Sequence, residues 1–442
     1  MKTSRYNLYL QDSTGMVIYN AKSDEIVALT PELADIFEEK KCDYQGLQAL
    51  HPELCSYLVQ KGIFVDEGID EVTEYIRAIK QADAEDDSYT ITVNPTLACN
   101  MKCWYCYENH RNMPMMPTKV KESILALSQK LCTSGKIRRI QLSFFGGEPL
   151  LGFGKIVIGI MTALSQLCSD NNVSLSVHFT TNAYLLTEDM LEQMQSFDVS
   201  FQITLDGNEN LHNTIRYTQK GEPTYATIVK NIKLALSKGF SVGVRFNYTY
   251  QTLPVFIDTL SDFRSLSLEQ KKLLNFNFQR VWQDKNGDAE MLEKNLGEME
   301  KAFEAEGLSV VSANDFFVPY CYADKANTAV VNFNGDLYKC TARDFTAKNR
   351  EGVLSAQGEL IWNEKHKERM SIRFGNTICQ RCRIYPICHG GCSQMKLETK
   401  CTDCCPKGYN DKQITQIMES RALFILDKYK KHLANNGFYP AI

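Results

Sequence analysis

An alternation constrains this chain more than any other feature. Between Tyr89 and about Gly307, six β-prone stretches ("YTITVNP", "RIQLSFFGG", "SLSVHFTTN", "VSFQITLDG", "SVGVRFNYT" and "NFNFQRVW") are separated by helical ones. In "PTKVKESILALSQKLCTSG", for example, Val120, Ile124, Leu127 and Leu131 recur at steps of four, three and four, which marks one helix face. Thr118 is its expected cap and Gly135 its stop. Such alternation predicts a parallel sheet, because parallel neighbours need crossover connections. Six units fall short of an eight-fold barrel, which leaves an open partial (β/α)6 barrel of TIM type or a doubly wound sheet. In either α/β arrangement, ligands sit at the carboxyl ends of the strands.

The flanks read differently, and 442 residues leave room for two or three domains. "YNLYLQD" and "GMVIYNA" are expected strands around an Asp-Ser-Thr-Gly turn, and "EIVALTPELADIFEE" passes from strand to helix at the cap Thr30. A helix near "LHPELCSYLVQKG" and a strand "IFVD" close this small α+β unit. The acidic run "QADAEDD" (81–87) reads as a solvated linker. From Pro319 the alternation gives way to short turns and cysteines, and a polar-rich helix follows at about 411–434. The expected domains are 1–80, 89–307, 319–410 and a C-terminal helical segment, 411–442.

A formal net charge of −4 gives no reason to expect nucleic-acid or membrane binding. The N-terminus lacks the apolar run of a signal peptide, and no later apolar stretch reads as long enough to span a bilayer. A cytoplasmic location is therefore expected. Cytosolic thiols stay reduced, so the spacing of the sixteen cysteines points to metal or redox chemistry rather than disulfides. Cys42, Cys55, Cys132 and Cys168 stand alone in helical segments and read as small buried hydrophobes. The other twelve fall in two clusters.

The first cluster, Cys99-x3-Cys103-x2-Cys106, follows directly on the first strand and so occupies a carboxyl-end loop. Three thiolates are one fewer than a closed tetrahedral site takes, and in a [4Fe–4S] cluster they leave one iron open. This spacing, with Tyr105 just before the last cysteine, resembles the radical S-adenosylmethionine (SAM) superfamily. The resemblance implies that SAM chelates the open iron and yields a 5′-deoxyadenosyl radical that removes hydrogen from a substrate. Gly146-Gly147-Glu148-Pro149, after the second strand, matches the family segment that holds the methionine end of SAM. Thr180, Asn182, Thr204 and Asp206 follow at the next two strand ends, with His212, Arg216, Arg245 and Asn247 beyond them. Tyr105, Thr180, Asn182, Thr204 and Arg216 are the expected cofactor contacts, and Asp206 the expected catalytic group on the radical's path.

The second cluster comprises Cys321, Cys340, Cys379, Cys382, Cys388, Cys392, Cys401, Cys404 and Cys405. By spacing it has too many ligands for one tetrahedral site and enough for two, and a pair of zinc sites answers to the same pattern. Cys321-x13-Gly335-x4-Cys340, followed by Cys-x2-Cys-x5-Cys-x3-Cys, resembles the SPASM extension of radical SAM enzymes. That implies two auxiliary [4Fe–4S] clusters in an irregular C-terminal domain. Cys392 would join Cys321 and Cys340, while Cys379, Cys382 and Cys388 share a later cysteine. The segment "SANDFFVPY" lacks the additional cysteine found in sulfatase maturases. The first auxiliary cluster then has an open iron or borrows from the 401–405 group. Of Cys401, Cys404 and Cys405, Cys404 is chosen to close the other cluster.

Taken together, the resemblance implies an oxidoreductase that modifies a ribosomally made precursor peptide or a protein side chain. A flavodoxin- or ferredoxin-type reductant would supply its electrons. The N-terminal unit looks like the small winged-helix domain that binds a leader peptide by strand addition. One rival is an anaerobic sulfatase-maturating, formylglycine-forming enzyme, although "LHNTIR" has Asn213 where those enzymes carry Asp. A second rival, from another class, is a non-catalytic zinc-binding interaction protein.

Overall fold

The computed structural model describes residues 1–108, 114–311, 321–400 and 403–436. Cys401 and the segment 312–320 therefore lie outside the described residues. The chain forms two compact units. One comprises Asp87–Asp315 and Ala326–Lys367; the other comprises Met1–Asp86, Phe316–Lys325 and Glu368–Ile442. The stretch 319–410 thus contributes to both units.

The first of these units is built on the six expected strands: β1 (Ser88–Val93), β2 (Arg139–Phe144), β3 (Ser174–Thr181), β4 (Val199–Leu205), β5 (Ser241–Tyr248) and β6 (Leu274–Arg280). They pair in parallel and lie side by side in chain order. A doubly wound sheet reverses its strand order partway, so this sequential order selects the barrel-type α/β winding, with each right-handed crossover on the same side. The sheet extends beyond the six: Ser309–Val310 adds in parallel to β6 and Thr328–Val331 to β1, and three short antiparallel strands continue from there to Trp362.

Side chains alternate along each strand. In β4 and β5, Phe201, Ile203, Leu205, Val242, Val244 and Phe246 are buried in the core shared with the crossover helices. The intervening Gln202, Thr204, Arg245 and Asn247 are half-buried on the opposite face. That second face is polar, so the space enclosed by the curling sheet is lined by groups that bind rather than pack.

Several expectations change. The helix Thr118–Thr133 begins one residue earlier than expected, because Pro117 is its N-cap and Thr118 its first residue. Proline suits this boundary, since the orphan N–H there goes unused. The crossover Pro149–Asp170 is, by length and composition, apolar enough to cross a membrane, which the sequence reading missed. Here it packs Ile160, Met161 and Leu164 into the core. Cys132 and Cys168 are buried with their sulfurs 3.8 Å apart, and Cys55 is buried too, but Cys42 is exposed in the turn after Pro31–Lys40.

The other unit opens with an antiparallel sheet of Asn7–Asp12, Gly15–Asn20 and Glu25–Leu29. Thr30 caps the following helix as expected. The acidic run is no linker: most of it belongs to the helix Glu71–Glu85, and Asp83 is ion-paired with Arg373. Tyr6, Leu8, Tyr19 and Val72 share a core with Ile384, Tyr385, Met418 and Ala422, so the N-terminal strands and the C-terminal helix fold as one body. Arg421 and Asp24 add a bidentate ion pair to it.

Candidate active site

The cysteine loop leaves β1 and is held from three sides. The Gly147 N–H donates to Thr96 O (3.3 Å) and the Glu148 N–H to Ala98 O (2.9 Å). Residues Met101–Cys103 pair antiparallel with Arg216–Thr218, Cys103 opposite Arg216. The Gln219 side chain donates to Cys99 O (3.1 Å) and Met101 O (3.0 Å). Asn182 donates to Asn100 Oδ1 (2.8 Å) and to Cys99 Sγ (3.9 Å).

Glycine is required at both positions that meet this loop. A Cβ on Gly147 would lie 2.2 Å from Ala98 O, and one on Gly146, at φ +100°, 2.6 Å from Thr96 O. Glu148 is fully buried. Its carboxylate accepts from Leu150 N (3.0 Å), Thr181 Oγ1 (2.7 Å) and Asn182 N (2.8 Å). The side chain is therefore a clamp between the ends of β2 and β3, which positions Asn182 against the cysteine loop. The Glu148 carboxylate is thus fully engaged within the protein, and Pro149 opens the short helical turn that follows.

Behind the cysteines lies a buried polar network. The Tyr105 hydroxyl donates to Asp206 Oδ2 (2.6 Å) and accepts from Arg216 Nη1 (2.8 Å) and Asn247 Nδ2 (3.0 Å). Asp206 Oδ1 accepts from Asn247 N (3.3 Å). Burial pushes the Asp206 carboxyl up, offset in part by the Arg216 guanidinium and the Tyr105 hydroxyl. Both its oxygens serve the protein and none of its surface is exposed, so Asp206 positions Tyr105 and Arg216 rather than standing on the rim as the expected catalytic group. His212 is also fully buried, and burial, then Arg216, hold its pKa well below the usual imidazole value. Neutral, it accepts from Asp206 N at Nδ1 (3.2 Å), leaving Nε2–H for Thr224 Oγ1 (3.1 Å). Asn213 Oδ1 accepts from Thr224 N (2.9 Å) and Tyr225 N (3.1 Å), a cap that an aspartate would make equally well. The Asn213 departure thus carries no information about substrate.

Four of the expected cofactor contacts, Tyr105, Thr180, Thr204 and Arg216, line one cavity of about 350 Å³ at the strand ends, together with the strand-end candidates Arg245 and Asn247. Gln202, Arg280, Trp282 and Arg343 join them there and were missed. Gln202 was legible from its step of two before Thr204; Arg280 is the last residue of β6, and Trp282 and Arg343 lie beyond the six strands, where no periodicity points to them.

The donor set fits an iron–sulfur cluster and SAM. Three thiols lie on one loop, and buried Asn100 Nδ2 and Arg216 Nε beside them have no partner among the described residues. Burial pushes the Cys99 thiol up to about 12 and the Cys103 thiol up to about 11, so binding iron there releases protons. In the other unit, Cys379, Cys382, Cys388 and Cys405 line one cavity of about 300 Å³. The fourth thiol there is Cys405, not the expected Cys404, whose carbonyl instead accepts from Asn376 Nδ2 (2.9 Å). Among the described residues, no group of three or more Cys, His, Asp or Glu side chains is close enough to hold a single metal ion. Cys321 and Cys392 belong to this unit and Cys340 to the first.

An α/β sheet wound in chain order, with a three-cysteine loop after its first strand and a polar cavity at its carboxyl ends, defines a class of enzyme. Residues 93–265 match the Radical SAM superfamily model, so the chain carries a domain of that superfamily and is an enzyme whose cofactors are SAM and a [4Fe–4S] cluster. It is similar to the serine-type anaerobic sulfatase-maturating enzyme of Klebsiella aerogenes, 22% identical over 67% of this chain and 77% of that protein. Two solved structures share the fold. One is anSMEcpe with bound AdoMet and Cp18Cys peptide (TM-score 0.57, 18% identity, 79% of this chain and 100% of that one). The other is Streptococcus suis SuiB bound to precursor peptide SuiA (TM-score 0.54, 16% identity, 94% and 99%).

Proposed function

We propose that this enzyme oxidises a side chain of a ribosomally made peptide or of a protein, with a [4Fe–4S] cluster on Cys99, Cys103 and Cys106. The observation that carries the reading is Tyr105. It belongs to the cysteine loop, yet it lines the strand-end cavity and ties Arg216, Asp206 and Asn247 together there. Cofactor loop and substrate cavity are thus one rigid piece, as a reaction needs when a reactive species must meet its target without diffusing. The cluster, when bound, supplies the electron that splits SAM into methionine and a 5′-deoxyadenosyl radical.

The chain's own groups do the rest. Arg216, Thr180 and Thr204 bind and orient the cofactor, the buried network keeps the Tyr105 hydroxyl fixed, and the polar lining receives the peptide. Cys379, Cys382, Cys388 and Cys405 hold an auxiliary cluster. The N-terminal antiparallel sheet, with Asn7–Asp12 and Glu25–Leu29 as its outer strands, receives a leader peptide by strand addition. A flavodoxin- or ferredoxin-type protein supplies the electrons. The peptide-bound state of anSMEcpe and SuiB supports a peptide substrate.

Iron and sulfide analysis of anaerobically purified protein tests this reading. Iron and sulfide in equal amounts, with 5′-deoxyadenosine formed on reduction in the presence of SAM, are expected. Bound zinc without sulfide would establish the interaction-protein alternative instead.

A further inference from the structure

The strand-end cavity is strongly cationic. Arg216, Arg245, Arg280 and Arg343 reach its described lining, and no carboxylate does. Three of the four are engaged. Arg216 meets Tyr105 and, at 3.7 Å, Asp206. Arg280 pairs with Asp284 (3.0 Å) and donates to Asn286 O (2.5 Å). Arg343 donates to Ala342 O (2.7 Å) and stacks 4.6 Å over the Trp282 ring.

Arg245 is different. Its Nε donates to Asn247 Oδ1 (3.0 Å), and its two Nη groups have no hydrogen-bond partner among the described residues. It is half-buried, between Val244 and Phe246, which are fully buried. A guanidinium so placed is costly to leave without an anion, and its terminal fork matches a carboxylate. Its direction is set from the cofactor side: Asn247 Nδ2 donates to the Tyr105 hydroxyl, which turns Oδ1 toward Arg245. Arg245 lies on β5, three strands from the glycine loop after β2 and four from the cysteine loop after β1. Arg216, paired through its backbone with Cys103, is the cation at the cofactor end.

We propose that the substrate presents a carboxylate beside its reacting side chain, and that Arg245 is the specificity-determining residue that receives it. An Asp or Glu side chain and a free chain terminus offer the same chemistry. The proposal rests on the peptide-modifying reading above.

The test uses holoprotein with SAM under anaerobic, non-reducing conditions and three fluorescent alanine peptides of equal length. One is blocked with a central Glu, one is blocked with Gln there, and one has all-Ala sequence with a free C-terminal carboxylate. Fluorescence anisotropy should show at least one carboxylate peptide binding about ten-fold more tightly than the Gln peptide. The tighter of the two identifies the source of the carboxylate. Arg245→Gln should erase the preference and Arg245→Lys retain part of it, with SAM affinity kept in both. Equal behaviour of the three peptides on the parent, a preference that survives Arg245→Gln, or loss of SAM affinity in its place would overturn the assignment. Reductive SAM cleavage by the parent is measured alongside. Its absence despite a clear preference would sink the radical reading alone, and its presence without a preference would sink the Arg245 assignment alone.

Discussion

Cys103→Ala is expected to lower 5′-deoxyadenosine formation by more than about a hundred-fold, since changes merely behind a metal ligand already cost about 10–100-fold. The loss should come without unfolding. Cys103 meets Arg216 through the backbone, so alanine keeps that pairing, and the Gln219 contacts go to the carbonyls of Cys99 and Met101. The parent and variant should therefore melt together once both are freed of iron. Product counted by chromatography from protein reduced in the presence of SAM reads the effect; cleavage at the parent's rate would remove Cys103 from the ligand set.

The second large effect is expected at Gly147. Alanine there would place Cβ 2.2 Å from Ala98 O and 2.5 Å from Leu97 O, backbone atoms that cannot swing aside. Overpacking of this kind costs about 1–3 kcal/mol when side chains give way. Here the cysteine loop must move, so the cluster it holds should be lost while the four thiols in the other unit keep theirs. Gly154→Ala serves as control, because nothing lies within 4 Å of the added carbon. Iron content per chain should fall for Gly147→Ala and stay at the parent value for Gly154→Ala. Equal iron in both variants would show that the close approach of the two loops is dispensable.

Much of the sheet was legible because a strand buried on one face declares itself by a step of two, and all six strands fall where that pattern put them. Their order was not legible. Periodicity says nothing about neighbours, and only the pairing of β1 through β6 in sequence separates a partial barrel from a doubly wound sheet. The acidic run misled because charge reports solvent exposure, and the exposed face of Glu71–Glu85 is as solvated as a linker. At the site, the types of residue were readable but their direction was not. Glu148 and Asp206 stand at strand ends as expected, yet both carboxylates turn into the protein and are consumed by backbone N–H and hydroxyl donors. Cys404 and Cys405 are adjacent in sequence, and only the fold shows that Cys405 lines the cavity of Cys379, Cys382 and Cys388.

The central claim is that the iron held by Cys99, Cys103 and Cys106 keeps a coordination position for SAM. Electron paramagnetic resonance of the reduced holoprotein, recorded with and without SAM, tests it most directly. A spectrum that changes on addition of SAM in the parent, and does not change in Cys103→Ala, is the predicted result. Identical spectra of the parent with and without SAM would contradict the account.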